Sequence, residues 1–74
     1  MYTEERAMLG KCYRVVTPWK IGNCTMKAGD ILTVGDYGTG AASNYLQFTN
    51  GRLPGYKFTT GTWLVKRNTA PIEG

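Results

Sequence analysis

The side chains that could do chemistry in this chain are few, because it contains two cysteines, five acidic residues and no histidine. Without histidine, neither a Ser/His nor a Cys/His nucleophile pair can form. Cys12 and Cys24 lack the paired spacing of a zinc site. We therefore expect no metal, no cofactor and two free thiols, since a reducing cytoplasm disfavours a disulfide between these cysteines.

Asp30 and Asp36 are the acids expected on the ordered body of the protein. They flank one predicted strand at opposite ends, which is too far apart for paired acid and base catalysis. Both stand at turn positions, where a short carboxylate binds nearby backbone groups. Gly35, Gly38 and Gly40 lack the lysine and the helix that follow a phosphate-binding loop. These residues predict that the protein is not an enzyme.

The element between the two aspartates is the best-defined part of the chain. Residues 31–34 form an apolar, β-branched run with Leu32 and Val34 on one face, which predicts a short strand. Gly29 allows the turn before this strand. Gly35 interrupts the run and predicts a β-bulge or a sharp bend. We expect a bent central strand between two glycine turns.

The rest of the chain predicts one helix and four further strands. Residues 3–10 are typical of a short helix, with Thr3 as the N-cap and Gly10 as the stop. Alternating side chains predict strands at 11–17, 44–49, 56–59 and 62–67, and Asn50-Gly51 predicts a hairpin. Tyr13 and Val15 are expected to share one face of the first strand, and Leu46, Phe48, Trp63 and Val65 are expected to point inward.

These elements predict a mainly all-β fold, a small five-stranded antiparallel barrel preceded by a short N-terminal helix. We expect one domain, with residues 1–9 as helix or arm, residues 10–67 as the barrel and residues 68–74 as a flexible tail. A long loop follows the first strand, and we expect Trp19 and Ile21 in this loop to close one end of the core.

The net charge of +4 is unevenly distributed along the chain. Residues 1–10 carry −1 and the remainder carries +5, so the folded body is the basic part. This surplus suits an acidic or mixed protein surface or nucleic acid, and it is also typical of charge that serves solubility alone. No run approaches the ~20 apolar residues of a membrane span, and the polar N-terminus is not typical of a signal peptide. We expect a cytoplasmic protein without a membrane partner, and a monomer.

Four segments carry a resemblance to a known family. Residues 10–15, 27–34, 46–52 and 63–65 read GKCYRV, KAGDILTV, LQFTNGR and WLV. Over residues 10–67 the chain resembles SH3-like barrels, in particular the small ones encoded by bacteriophages, which share the patterns G-K-x-Y-x-V, K-x-G-D-I-x-T-V, F-x-N-G-R and a closing W-L. The resemblance implies an SH3-like barrel and, for a phage protein, the host cytoplasm. Such architecture is shared by proteins of many activities.

The resemblance also implies where a partner binds. In SH3-like domains, the long loop after the first strand and the loop before the third commonly line a groove with aromatic residues. By position, this groove would lie between Tyr13 or Trp19 and Tyr37, with Tyr56 across the hairpin. Residues 18–29 carry two lysines as their only charges, whereas SH3 domains that bind peptides carry an acidic cluster there. We therefore do not expect recognition of basic proline-rich peptides.

The sequence favours a small protein-binding module, most concretely a phage-type protein that docks on a host protein and modulates or inhibits it. Tyrosine, tryptophan and arginine dominate the energetics of interfaces, and charged residues at the rim raise association rates. The candidate partner-binding residues are Trp19, Lys20, Tyr37, Tyr45, Arg52, Tyr56, Lys57 and Lys66.

Two alternatives stay open at this point. Small barrels bind single-stranded nucleic acid by stacking bases on aromatic residues beside basic ones. A nucleic-acid face of this kind would use Tyr45, Arg52, Tyr56, Lys57, Lys66 and Arg67.

The second alternative is an assembly in which an edge strand at 62–67 pairs with another subunit, although Lys66 and Arg67 would protect that edge.

Overall fold

A computed structural model of the chain describes residues 3–42 and 44–72. Its elements in chain order are α1 (Thr3–Met8), β1 (Cys12–Val15), β2 (Trp19–Ile21), β3 (Cys24–Met26), β4 (Ile31–Tyr37), β5 (Tyr45–Asn50), β6 (Lys57–Gly61), α2 (Thr62–Asn68) and β7 (Thr69–Pro71), with a 3₁₀ turn at Gly40–Ala42. The predicted mainly β class and the predicted N-terminal helix are confirmed. Residues 1, 2, 73 and 74 of the predicted arm and tail lie outside the described residues.

Five strands form one antiparallel sheet in the order β6-β5-β4-β1-β7, and β2 pairs with β3 in a separate two-stranded sheet. The prediction of a closed barrel is wrong, because within the described ranges this sheet stays open, with β6 and β7 at its edges. Closure requires the edge strands to pair. The residues predicted to supply the last barrel strand, 62–67, form a helix instead.

The inner face of the sheet supplies most of the core. Its buried residues include Tyr13, Val15, Leu32, Val34, Leu46, Phe48 and Phe58. The inward positions predicted for Leu46 and Phe48 are therefore confirmed, and the residues predicted to share one face in β1 and in β4 do so on the buried side. Met8 of α1, Met26 of β3 and Val65 of α2 belong to the same buried cluster, so these three elements cover the inner face. Burying one such side chain contributes about 1.5–3 kcal/mol to folding.

Of the bulge or sharp bend predicted at Gly35, the structure shows a β-bulge in β4. Val34 pairs with Phe48 and Asp36 pairs with Gln47, so the glycine between Val34 and Asp36 is one residue more than β5 has at this point. Because the faces of a strand alternate, Asp36 would otherwise stand opposite the buried Leu46. The bulge thus keeps a carboxylate out of the core.

Residues 18–29, predicted as a loop, contain the hairpin β2–β3. Its cross-strand pairs include Trp19 with Met26 and Ile21 with Cys24. Gly22 forms the turn at a φ of +61°, which a glycine adopts without steric cost. Trp19 and Ile21 are half-buried and pack against the core, as predicted.

The predicted strand at 62–67 is wrong, since these residues lie in helix α2. The buried residues Thr62, Val65 and Asn68 recur every three positions, which is the spacing of one helix face and not of a strand. Val65 is buried as predicted, but Trp63 is 59% exposed, so its predicted inward position is also wrong. An assembly through a strand edge at 62–67 has no strand to use.

The prediction of a flexible tail at 68–74 is wrong for the part that the structure describes. Strand β7 pairs with β1 through Tyr13 with Pro71 and Val15 with Thr69. The Ile72 N–H donates to the Cys12 carbonyl oxygen at 3.0 Å. The physical reason is that β1 has a second edge, opposite β4, whose backbone groups need partners. Pro71 is tolerated because β7 is an edge strand.

Candidate binding surface

The structure distributes the predicted partner-binding residues over both ends of the sheet. Strand β5 begins at Tyr45 and spans roughly 17 Å along its six residues. Tyr37 lies at the same end as Tyr45, whereas Arg52, Tyr56 and Lys57 lie at the other end. Tyr37 and Tyr56, which were both assigned to the predicted groove, therefore lie at opposite ends of the sheet.

The end that carries Tyr45 is also where helix α2 begins. The backbone N–H and the Oγ1 hydroxyl of Thr62 both donate to the carbonyl oxygen of Asn44, at 2.8 and 2.9 Å. Asn44 directly precedes β5, so these bonds tie the first turn of α2 to the start of β5. The tie fixes the direction in which Trp63, the second residue of the helix, leaves the backbone.

The indole of Trp63 lies against Gly61, the last residue of β6. A Cβ atom at position 61 would stand 2.9 Å from Trp63 Nε1, closer than real contacts allow. Gly61 pairs with Tyr45, and directly paired residues point to the same face of a sheet. The indole therefore fills the space of the side chain that Gly61 lacks, on the face that carries Tyr45. We call Asn44, Tyr45, Thr62 and Trp63 the Tyr45–Trp63 surface.

A cavity of about 370 Å³ between α1 and α2 adjoins this surface. Glu4 Oε2 and Lys66 Nζ form a 3.0 Å ion pair at its rim, and both side chains are about half exposed. Glu5 is 5% exposed, and its Oε1 has no hydrogen-bond partner among the described residues. The residues that line the cavity are Glu4, Glu5, Asn44, Thr62, Trp63 and Lys66. A buried carboxylate and an exposed aromatic residue thus line the same cavity.

A second cavity, of about 390 Å³, lies where α1 meets β1 and β7. Its lining includes the apolar Met8 and Pro71 and the buried Tyr13. Burial raises the pKa of the Tyr13 phenol, so this group stays neutral at physiological pH. Glu4 and Lys66 line both cavities, so the two cavities share this ion pair as a rim.

The opposite end of the sheet is organised by Asp30. Arg52 Nε donates to both carboxylate oxygens of Asp30, at 2.9 and 3.1 Å, and Arg52 Nη2 donates to the Thr25 carbonyl oxygen at 2.7 Å. Asn50 Nδ2 and the Lys27 N–H donate to Asp30 Oδ2 at 2.9 and 2.8 Å. Burial alone would raise the pKa of Asp30, but the hydrogen bonds from Arg52, Asn50 and Lys27 outweigh it and lower the pKa to about 2. Arg52 therefore holds the fold together at this end.

The other predicted residues have separate surroundings. Trp19 is half-buried, and its Nε1 is enclosed without a hydrogen-bond partner among the described residues. Tyr37 is half-buried against the core. Lys20 and Lys57 are exposed on β2 and β6. Tyr56 is 61% exposed and stacks on Phe58 with ring centroids 6.4 Å apart.

The residues predicted for a nucleic-acid face are likewise divided. Tyr45 and Tyr56 lie at opposite ends of the sheet. Arg52 is bound to Asp30, and Lys66 is paired with Glu4. The two tyrosines of this face are therefore apart, and two of its four basic residues are already paired with carboxylates.

Sequence reasoning missed the residues that make the Tyr45–Trp63 surface distinctive. Trp63 was expected in the core because an alternating pattern was read through a helix. The sequence does carry a helix signal there, since Lys66 and Arg67 occupy the last turn, where cations complement the helix dipole. Nothing in the local sequence indicates that Glu5 is buried. Over residues 3–42 and 44–72, no three His, Cys, Asp or Glu side chains are grouped as metal ligands.

Comparison of the chain with protein-family models, with curated proteins and with solved structures found no match. In the described part of the chain, neither helix is long or apolar enough to cross a membrane.

Proposed function

We propose that this chain is a non-enzymatic protein-binding module that docks through the Tyr45–Trp63 surface. The observation that carries the proposal is the position of Trp63, which is 59% exposed and held against a glycine. Tryptophan and tyrosine offer large contact areas with few rotatable bonds, so little conformational entropy is lost when a partner covers them. Tyr45, 43% exposed on the same face, extends the surface.

The absence of an enzymatic role is part of the proposal. Asp30, the most strongly perturbed carboxylate, is fully engaged by Arg52, Asn50 and Lys27. With a pKa of about 2, it is too weak a base to accept protons at neutral pH. The strong hydrogen bonds at this site stabilise a turn and leave no reactive group free.

The fold is assigned to the SH3-like class as part of the same proposal. Three features support it: the strand order, the hairpin β2–β3 inserted after β1, and the short helix α2 before the last strand. The resemblance of the sequence to phage-encoded members of that class makes a host protein the expected partner. The net charge of +4 favours an acidic or mixed surface on that partner.

Affinity capture from bacterial lysate tests the location of the surface. We expect Trp63→Ala and Tyr45→Ala to lower recovery of a stoichiometric partner protein by at least about tenfold, because exposed aromatic residues at an interface contribute most of its energy. Tyr56→Ala is the matched control, since Tyr56 is equally exposed at the other end of the sheet. Melting temperatures of all three variants establish that they are folded.

Three outcomes contradict the proposal. Loss of the partner in Tyr56→Ala but not in Trp63→Ala would place the surface at the Arg52 end. Recovery that disappears after nuclease treatment, or falls steeply with salt, would indicate nucleic-acid binding. Recovery of no stoichiometric protein by the parent chain would remove the basis for a binding module.

A further inference from the structure

Glu5 is a buried carboxylate that the fold does not satisfy. It is 5% exposed, and its Oε1 accepts no hydrogen bond from any described residue. Buried polar groups in native proteins almost always have partners, because an unpaired group costs its full desolvation energy. An exception of this kind calls for an explanation, and a group that binds from outside is one that the neighbouring cavity allows.

The described charges around the cavity do not compensate Glu5. Among the residues that the structure describes, the ionisable ones that line the cavity are Glu4, Glu5 and Lys66. Lys66 Nζ is 3.0 Å from Glu4 Oε2, so the one lysine at the cavity is held by the other carboxylate. Two of the five acidic residues of a basic chain therefore meet at one place, and Glu5 forms no ion pair within residues 3–42 and 44–72.

Trp63 supplies the second half of a cation site. Its exposed indole lines the same cavity as Glu5. The face of an indole attracts cations, and the attraction strengthens as water is excluded. A planar guanidinium stacks on such a ring better than an ammonium does, and it also pairs with carboxylates. The volume of about 370 Å³ accommodates a side chain of this size.

We propose that the cavity between α1 and α2 receives an arginine side chain of the partner protein, which stacks on Trp63 and compensates the charge of Glu5. This inference rests on the proposed function and names the chemistry of one contact within it. The body of the chain repels cations through its positive charge, so this cavity is where a basic group on a mixed partner surface is favoured.

The test uses the full chain labelled with ¹⁵N and a minimal probe, N-acetyl-arginine-N-methylamide. The two tryptophans give two indole N–H signals. We expect the probe to shift the Trp63 indole signal and the backbone signals of Glu5 and Asn44, with saturation in the millimolar range that is typical of one small contact. The Trp19 indole, packed against the core, serves as the internal reference. The citrulline analogue, equal in shape but neutral, should bind at least about tenfold more weakly.

Two variants measure how much Glu5 and Trp63 each contribute to binding of the arginine probe. Glu5→Gln keeps the shape and removes the charge, and we expect it to weaken the probe by about tenfold. Trp63→Leu should weaken it by about fivefold, through loss of the cation–π contact. Asp36→Asn removes one negative charge from an exposed site on β4 and should leave the affinity unchanged.

Equal binding of the arginine and citrulline probes, or an unchanged affinity in Glu5→Gln, would overturn the cation site. These outcomes are separate from failure of the proposed function. If the parent chain captures a partner that depends on Trp63 while the arginine probe causes no shift, the binding module stands and the cation site does not. If the arginine probe binds and the parent chain captures no partner, the cation site stands and the binding module does not.

Discussion

Asp30 shows how one residue acquires a role that its local sequence does not reveal. Its place in a turn was predicted, and the Lys27 N–H does bind its carboxylate. Its bonds to Asn50 and Arg52 cross 20 and 22 residues of sequence and join the β3–β4 turn to the end of β5. Asn50 is 1% exposed, so the Asn-Gly pair that predicted a hairpin also supplies a buried hydrogen-bond donor.

The lowered pKa of Asp30 predicts a specific loss of stability in acid. The pKa is about 2 in the folded chain and 3.8 for an unperturbed aspartate. Because the folded-state pKa is lower, the stability from Asp30 is complete above about pH 4 and is lost as the pH falls toward 2. We expect the melting temperature to drop across this window. Asp30→Asn should melt lower at pH 7 and show a smaller drop, as measured by circular dichroism.

Asp36→Asn is the control for this measurement, because Asp36 is an exposed carboxylate on β4, the strand that follows Asp30. It should retain most of the acid-induced drop. If Asp30→Asn loses as much stability between pH 4 and pH 2 as the parent chain does, the drop comes from other carboxylates, and the Asp30 network contributes little.

At the scale of elements, strands with clear alternation could be predicted and short elements could not. In β1, β4 and β5 the buried and exposed faces follow the sequence, because each strand covers a core with one face. Strands β2 and β3 have three residues each, too few to show a period. Strand β7 exists because β1 has a free edge, which is a property of the sheet and not of residues 69–71.

Helix α2 shows why the candidate surface could not be predicted. Trp63-Leu64-Val65 fits a strand or a helix, and seven residues are too few for the pattern to decide. Tertiary contacts decide instead, because a helix buries Thr62, Val65 and Asn68 together. A strand at 62–67 would place Trp63 in the core, whereas the helix places it at the surface. The wrong element type therefore concealed the Tyr45–Trp63 surface.

The register of α2 can be tested by two substitutions. Val65→Ala should cost about 2 kcal/mol, because a buried side chain is truncated in the core. Trp63→Ala should cost less than about 1 kcal/mol, because its ring is mostly exposed and alanine favours a helix. Chemical denaturation of both variants measures the difference. A larger loss of unfolding free energy in Trp63→Ala than in Val65→Ala would contradict the helix and indicate a strand with a buried tryptophan.

At the scale of the whole molecule, the last described strand, β7, lies beside β1, the first strand in the sequence. Strand β7 pairs with β1, and α1, which precedes β1, packs Met8 into the core. Both ends of the described chain therefore contribute to stability. A domain of this size has little stability in reserve, so the contribution of its last strand is decisive.

Truncation tests this contribution. A chain that ends at Asn68 lacks β7 and its bonds to β1, and we expect its melting temperature to fall by at least about 10 °C or its folding to fail. A chain that ends at Ile72 keeps every described backbone pair and should melt close to the parent. Equal melting temperatures for the two truncated chains would mean that β7 is dispensable.

The bulge in β4 has a consequence for how this protein can change over generations. Gly35 has no partner in β5, and the pairs on both sides of it, Val34 with Phe48 and Asp36 with Gln47, are complete without it. Deletion of Gly35 would remove the bulge and straighten the strand, and every cross-strand pair between β4 and β5 would be kept. Related proteins with this fold can therefore differ in length by one residue at position 35 and keep the same core. An alignment of their sequences should place a gap there.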